Sequence, residues 1–173
     1  IPNNPFYMHE IIDKIKKLVF FSKGFTLVLS EDANLKINLA TELASQHGKR
    51  VILENIPAHN NQILCASFNW WIKNSCSIRN PEQIIIPLLP IPEIKEPING
   101  NNVSHYKKLG KDWFREFLLP EAIEKLERSI APLRRNSGKL IILDGRASKR
   151  RWGRSILKSI EPSKQINHVL PFE

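Results

Sequence analysis

The stretch GFTLVLSEDANLKINLATELASQHGKRVILEN, residues 24–55, changes its apolar period twice and so decides the fold. Its opening FTLVLS is a short apolar run rich in β-formers and reads as a buried strand. Leu35, Leu39 and Leu43, with Ala40 and Ala44, then recur at helical spacing up to His47, and Gly48 supplies the left-handed stop. RVILE, residues 50–54, is a second strand. A strand, a helix of thirteen residues over 35–47, a glycine stop and a strand make up a βαβ unit, which predicts a parallel sheet with a right-handed crossover.

The pattern extends in both directions. Upstream, Ile11, Ile12, Ile15, Leu18 and Val19 lie at helical spacing in residues 9–19, with lysines on the other face. Downstream, strands are predicted at 63–67 and 83–89, the second from an unbroken IIIPLL that suits burial on both faces. Residues 68–83 are polar and aromatic without periodicity, so they read as a loop or short helix. PLLPIPEIKEPING, residues 87–100, holds four prolines and a glycine and reads as a turn-rich crossing. Helices are predicted over 103–117 and 120–130, with Pro120 in the first turn of the second and Pro132 at its end. A strand at 139–144 and a basic helix at 150–160, burying Trp152, Ile156, Leu157 and Ile160, follow, and INHVLPF, residues 166–172, offers an edge strand that would make the sheet mixed. The expected fold is α/β, a parallel sheet with helices on both faces in three layers.

A chain of 173 residues with 42% hydrophobic residues falls within the range of one domain. It begins with Ile1, so a piece of a longer polypeptide or a processed product is expected. No apolar run has the eighteen residues that a membrane span requires, and no secretory signal is present, so a cytoplasmic protein without membrane partners is expected. Cys65 and Cys76 lack a CxxC or a histidine pair beside them. They exclude a zinc knuckle or iron–sulfur cluster within the chain and read as buried thiols.

The net charge of +9 is concentrated. Residues 125–158 hold eleven Lys/Arg against Glu127 and Asp144, while the rest of the chain has fifteen of each sign. That is the distribution of a surface facing a polyanion, or of a solvated basic face. Within this third, a buried strand runs into Asp144, as strands carrying a magnesium-binding carboxylate do. Yet no GxxxxGK[ST] cradle exists, and nucleotide hydrolysis needs backbone amides and a lysine around the triphosphate. Asp144 therefore reads as a strand-end residue that caps a turn. The five histidines and the scattered acids form no nucleophilic or acid–base set, and no metal site is expected. Arg128, Arg134 and Arg135 bracket a helix end, from which a guanidinium can reach a phosphate or simply complement the helix dipole. Trp70-Trp71 can stack on a base, or pack one ring into the core and the other on a neighbour.

The order of these pieces resembles the second RecA-like domain of the DinG-like and XPD-like helicases of superfamily 2. Phe114, Pro120-Glu121-Ala122, Arg128 to Arg135, Gly138, Leu140 to Asp144 with Arg146, and Trp152-Gly153 with Leu157 match the end of that domain in order. GFTLVLS through RVILEN is similar to its opening strand, helix and strand; FNWWIKNS occupies the place of its W-E-G-x-D motif, and IIIPLLPIPEIKEPI is similar to its proline run. About residues 6–162 are covered.

The resemblance implies an ATP-driven DNA helicase of bacterial type, in which this domain works with an N-terminal Walker-motif domain in cis. ATP and Mg2+ are then expected at the interface of the two, neither bound by this domain alone, and single-stranded or forked DNA is the expected partner. It implies that Arg134 and Arg135 face the nucleotide, and that Arg128, Lys149, Arg150, Arg151, Arg154 and Trp71 contact nucleic acid. Departures from the family pattern accompany it. In Q-x-x-G-R-x-x-R the glutamine falls on Arg128, the glycine on Ala131 and the first arginine on Pro132, while Arg135 keeps the second; the tryptophan motif lacks its acid and glycine. The alternative is a RecA-like module that binds nucleic acid or protein and has lost the chemistry.

Overall fold

A computed structural model of the chain describes residues 5–22, 24–55, 62–95 and 97–166. In chain order its elements are α1 (Pro5–Phe20), β1 (Thr26–Leu29), α2 (Ala33–His47), β2 (Val51–Leu53), β3 (Ile63–Ala66), α3 (Phe68–Asn74), β4 (Gln83–Ile86), α4 (Pro97–Lys108), a π-helical turn (Phe114–Leu118), α5 (Leu119–Ile130), a 3-10 turn (Ala131–Arg135), β5 (Lys139–Ile142), α6 (Arg146–Lys149) and α7 (Gly153–Ser159). The five strands form one parallel sheet in the order β2-β3-β1-β4-β5. β1, β3 and β4 are buried along their whole length, as central strands covered on both faces must be.

Alternation along the strands separates two cores. Leu27, Leu29, Leu64, Ala66, Ile84 and Ile86 pack with Phe68 and Trp71 of α3, Leu119, Leu126 and Ile130 of α5, and Ile156 of α7. Val28, Ile63, Cys65, Ile85 and Ile141 face the other way, against Ile11, Ile12, Ile15, Leu18 and Val19 of α1 and Leu35, Leu39 and Leu43 of α2. Three layers result, as expected from the sequence. The strands that are described are all parallel; the edge strand expected at 166–172 lies, but for Ile166, outside the described residues. Among the described residues no helix is long and apolar enough to cross a membrane.

Some element expectations are corrected. Helix α4 begins at Pro97, inside the segment read as a crossing, because a proline is tolerated in a first helical turn, where its missing N–H has no partner to lose. The helix expected over 103–117 is broken: Gly110 adopts φ +68, and Asp112 starts a new turn by accepting hydrogen bonds from the Phe114 and Arg115 N–H groups. The basic helix expected at 150–160 is shorter, α7 over Gly153–Ser159, and an extended Arg150 separates it from a further short helix, α6, that was not expected. A Cβ at Gly153 would stand 2.0 Å from the Ala147 carbonyl oxygen, so the close approach of α7 to α6 depends on glycine there. Cys65 is buried, and burial pushes its thiol up to about 12, whereas Cys76, also expected inside, is exposed.

Candidate nucleotide and nucleic-acid contacts

Because the strands run the same way, the sheet has a carboxyl edge, where β1, β3 and β5 run out into Ser30, Ser67 and Asp144, and an amino edge opposite. Asp144 is buried at the carboxyl edge and fully engaged. One carboxylate oxygen accepts from the Leu89 N–H at 2.9 Å, the other from the Arg146 N–H at 2.9 Å, and the Arg146 guanidinium closes on both at 2.6–3.0 Å. Burial alone would raise this carboxyl, but the hydrogen bonds from Arg146 and the two amides outweigh it and hold it below the usual aspartate range. Asp144 thus ties the end of β5 to the exit from β4 and starts α6, as the sequence reading of a turn-setting residue has it.

Nearby, Glu54 at the end of β2 accepts from the Ser67 amide at 2.7 Å, the Ser67 hydroxyl at 2.9 Å and the Lys36 ammonium at 2.5 Å. Burial opposes ionisation here too, and these donors again win, so Glu54 stays low. The buried Asp144 and the partly buried Glu54 both have their donors within the fold. Neither is left to bind a ligand.

Arg134 and Arg135 lie at the amino edge, at the end of the 3-10 turn that leads into β5, where Lys139 N–H bonds Glu82 O and Asn136 bonds Pro81 O. Both are exposed. The Arg134 guanidinium donates to the carbonyls of Ser159 and Glu161, each at 3.3 Å, and so clamps the end of α7. Among the described residues Arg135 has no carboxylate partner. Pro132, at the family's first arginine position, is buried. Arg128 is exposed on α5 and lies 3.5 Å from Glu124, one turn earlier.

Lys149 ends α6, Arg150 and Arg151 lie in the turn that follows, and Arg154 lies in the first turn of α7, all beyond the carboxyl end of β5. All four are exposed, and among the described residues none is paired with a carboxylate. Lys149 faces the start of α1: Glu10 is held low mainly by its hydrogen bond from Lys14, with Lys149 adding a smaller pull. Arg134 and Arg135 thus precede β5, at its amino end, whereas these four cations follow it, beyond its carboxyl end.

Trp71 is a correction. The Ser67 hydroxyl caps α3 by accepting from the Trp70 N–H, and that helical phase turns Trp71 inward beside Phe68. The ring is fully buried and its N–H donates to Ser129 O at 2.9 Å, so it belongs to the core and offers no face to a base. Trp70 is the half-exposed partner, its indole N–H on Asn55 at 2.8 Å. A second aromatic group escaped the sequence reading. The Trp152 ring, within the basic turn, meets Phe114 at 5.2 Å, Phe114 meets Trp113 at 6.2 Å, and Tyr106 stacks on Phe117 at 5.8 Å. HYKKLGKDWFREF, residues 105–117, interleaves rings with cations, and that was the available signal.

Among the described residues no group of three His, Cys, Asp or Glu side chains could hold a metal ion. No protein-family model matches the chain. It is 27% identical over 152 residues to the ATP-dependent DNA helicase YoaA of Haemophilus influenzae, covering 83% of this chain and 23% of that protein. It is 24% identical over 144 residues to YoaA of Escherichia coli, covering 82% and 23%. The ATP-dependent DNA helicase DinG of Photobacterium profundum matches at 28% over 88 residues, 49% of this chain and 13% of that protein. The chain thus spans less than a quarter of the length of these curated relatives.

Proposed function

We propose that this chain, a homologue of the DinG-like DNA helicases, is one RecA-like domain of an ATP-driven enzyme that moves on DNA. In this reading Lys149, Arg150, Arg151 and Arg154 grip the phosphates of single-stranded or forked DNA at the carboxyl edge. Arg135 reaches from the amino edge to the phosphates of ATP and Mg2+ held by a second RecA-like domain, in cis, in a cytoplasmic protein. The observation that carries the reading is the match to YoaA across 83% of the chain.

The residues present fit a contributor to the nucleotide site rather than its holder. Arg135 is exposed and among the described residues unpaired, as a guanidinium that adds charge to a phosphate held elsewhere must be. ATP with Mg2+ supplies the γ-phosphoryl group and its partial charge neutralisation. Arg135 would stabilise the remaining charge, Arg134 would hold α7 against the turn that presents Arg135, and the basic turn would keep the strand on the surface.

One observation favours a second reading, the non-catalytic binding module. Pro132 stands buried where the family carries an arginine, and a missing arginine finger costs orders of magnitude in turnover. ATP hydrolysis by the full-length protein, with and without single-stranded DNA, separates the two. DNA-stimulated turnover that falls about a thousandfold in Arg135→Ala is expected. DNA binding with no turnover sinks the helicase reading in favour of the module.

A further inference from the structure

Large rings that belong to this protein's core are covered completely: Phe25, Phe68 and Trp71 are at most 1% exposed. Tyr106, Trp113, Phe114, Phe117 and Trp152 are instead only half-buried, Phe114 and Trp152 resting with one side against the core, and ring contacts link the five in two groups. Trp152 leads from the basic turn to Phe114 and on to Trp113, whose neighbour along the π-helical turn is the Tyr106–Phe117 stack, its planes 17° apart. The wider turn, with Leu119 N–H bonded to Phe114 O, buries both Leu118 and Leu119 while Phe114 and Phe117 stay partly exposed. Two of the ring faces carry a cation. The Lys107 ammonium is 5.5 Å from the Trp113 centroid, and that of Lys111 is 5.9 Å from the Tyr106 centroid.

We infer that this strip is a base-stacking platform for unpaired nucleotides, continuous with the basic turn, in which Lys107 and Lys111 cover the faces of Trp113 and Tyr106 until a base takes their place. An ammonium over an exposed ring is weakly held, and a base stacks on an aromatic ring more strongly and without regard to sequence. The exchange frees the ammonium, still tethered beside the ring, to meet the phosphate of the same nucleotide. Lys107 and Lys108 have no carboxylate partner among the described residues, whereas Lys111 lies 3.5 Å from Glu116 and Arg115 3.6 Å from Asp112. Lys107, over Trp113, and Lys108, next to it in the last turn of α4, supply the net positive charge that a strand requires. That the strand is DNA rather than RNA rests on the function proposed above; the stacking chemistry does not.

Anisotropy of a fluorescein-labelled thymidine 20-mer titrated with this chain, at about 50 mM and 200 mM salt, tests the inference. Trp113→Ala and Tyr106→Ala are each expected to weaken binding about tenfold with little change in salt slope, and a duplex of equal length is expected to bind less well than the single strand. Unlabelled oligonucleotide should quench tryptophan emission, and Trp113→Phe, which keeps a ring in place, should lose much of that quench while binding within about twofold of wild type. Trp113→Ala and Tyr106→Ala that bind like wild type, or a quench unchanged in Trp113→Phe, overturn the platform. If the change of Lys149, Arg150 and Arg151 to alanine still weakens binding in that case, the function proposed above stands without it. Binding insensitive to all of these changes removes both.

Discussion

At the residue scale, the side chain that looked most like a catalytic acid turns out to hold the fold. Asp144 is 3% exposed, and its carboxylate joins β4, β5 and α6 through Leu89 and Arg146. Asn in its place keeps one amide acceptor and loses the ion pair, so Asp144→Asn is expected to lower the unfolding free energy by about 1–3 kcal/mol at pH 7. The pH dependence has a definite sign. The folded carboxyl lies below the ordinary aspartate value near 4, so its contribution is fully present above that value and is lost as pH falls through the folded one. Urea midpoints at pH 7 and at about pH 3 should therefore differ less in Asp144→Asn than in wild type; an equal acid loss in both would contradict the assignment. Arg134 and Arg135 are neighbours with different work, one clamping the α7 carbonyls and the other uncommitted. A sequence reading cannot divide them, because the division depends on where residues 159 and 161 return in space.

At the element scale, the sequence was readable where a period had room to develop. The stretch from β1 through α2 to β2 follows from spacing alone, and α5 was bounded by Pro120 and Pro132. Short elements were not readable in this way. With seven residues, α3 has too few turns to declare which tryptophan faces inward, and the Ser67 cap that sets its phase is a single residue. The start of α4 was hidden by Pro97, and its end by a positive φ at Gly110. The turn between α6 and α7 yields a prediction of its own. Gly153→Ala places a methyl against the Ala147 carbonyl and should destabilise the protein by about 1–3 kcal/mol, with the tryptophan near-ultraviolet signal altered as Trp152 shifts from Phe114. A melting temperature within a degree of wild type would show that the two helices tolerate separation.

At the scale of the whole molecule, one parallel sheet distributes the candidate residues between its two edges. The α/β layering was legible because each crossover writes a strand, a helix and a strand in order. The distribution of the candidate residues was not, since the eleven basic residues of 125–158 look like one patch in the sequence. Folding divides them: a helix that runs against the strands delivers Arg134 and Arg135 to the amino edge, and β5 carries the chain back to the carboxyl edge before Lys149, Arg150, Arg151 and Arg154. On the function proposed above, such a separation would let nucleotide and nucleic acid be engaged at the same time without competing for the same cations. The affinity of Arg135→Ala and of the Lys149→Ala, Arg150→Ala, Arg151→Ala triple variant for single-stranded DNA, measured side by side across salt, tests this proposed division of labour. The expected result is that Arg135→Ala binds like wild type, while the triple variant binds at least tenfold more weakly with its logarithmic salt slope smaller by about 2. Equal loss in both variants, or no loss in the triple variant, would contradict it.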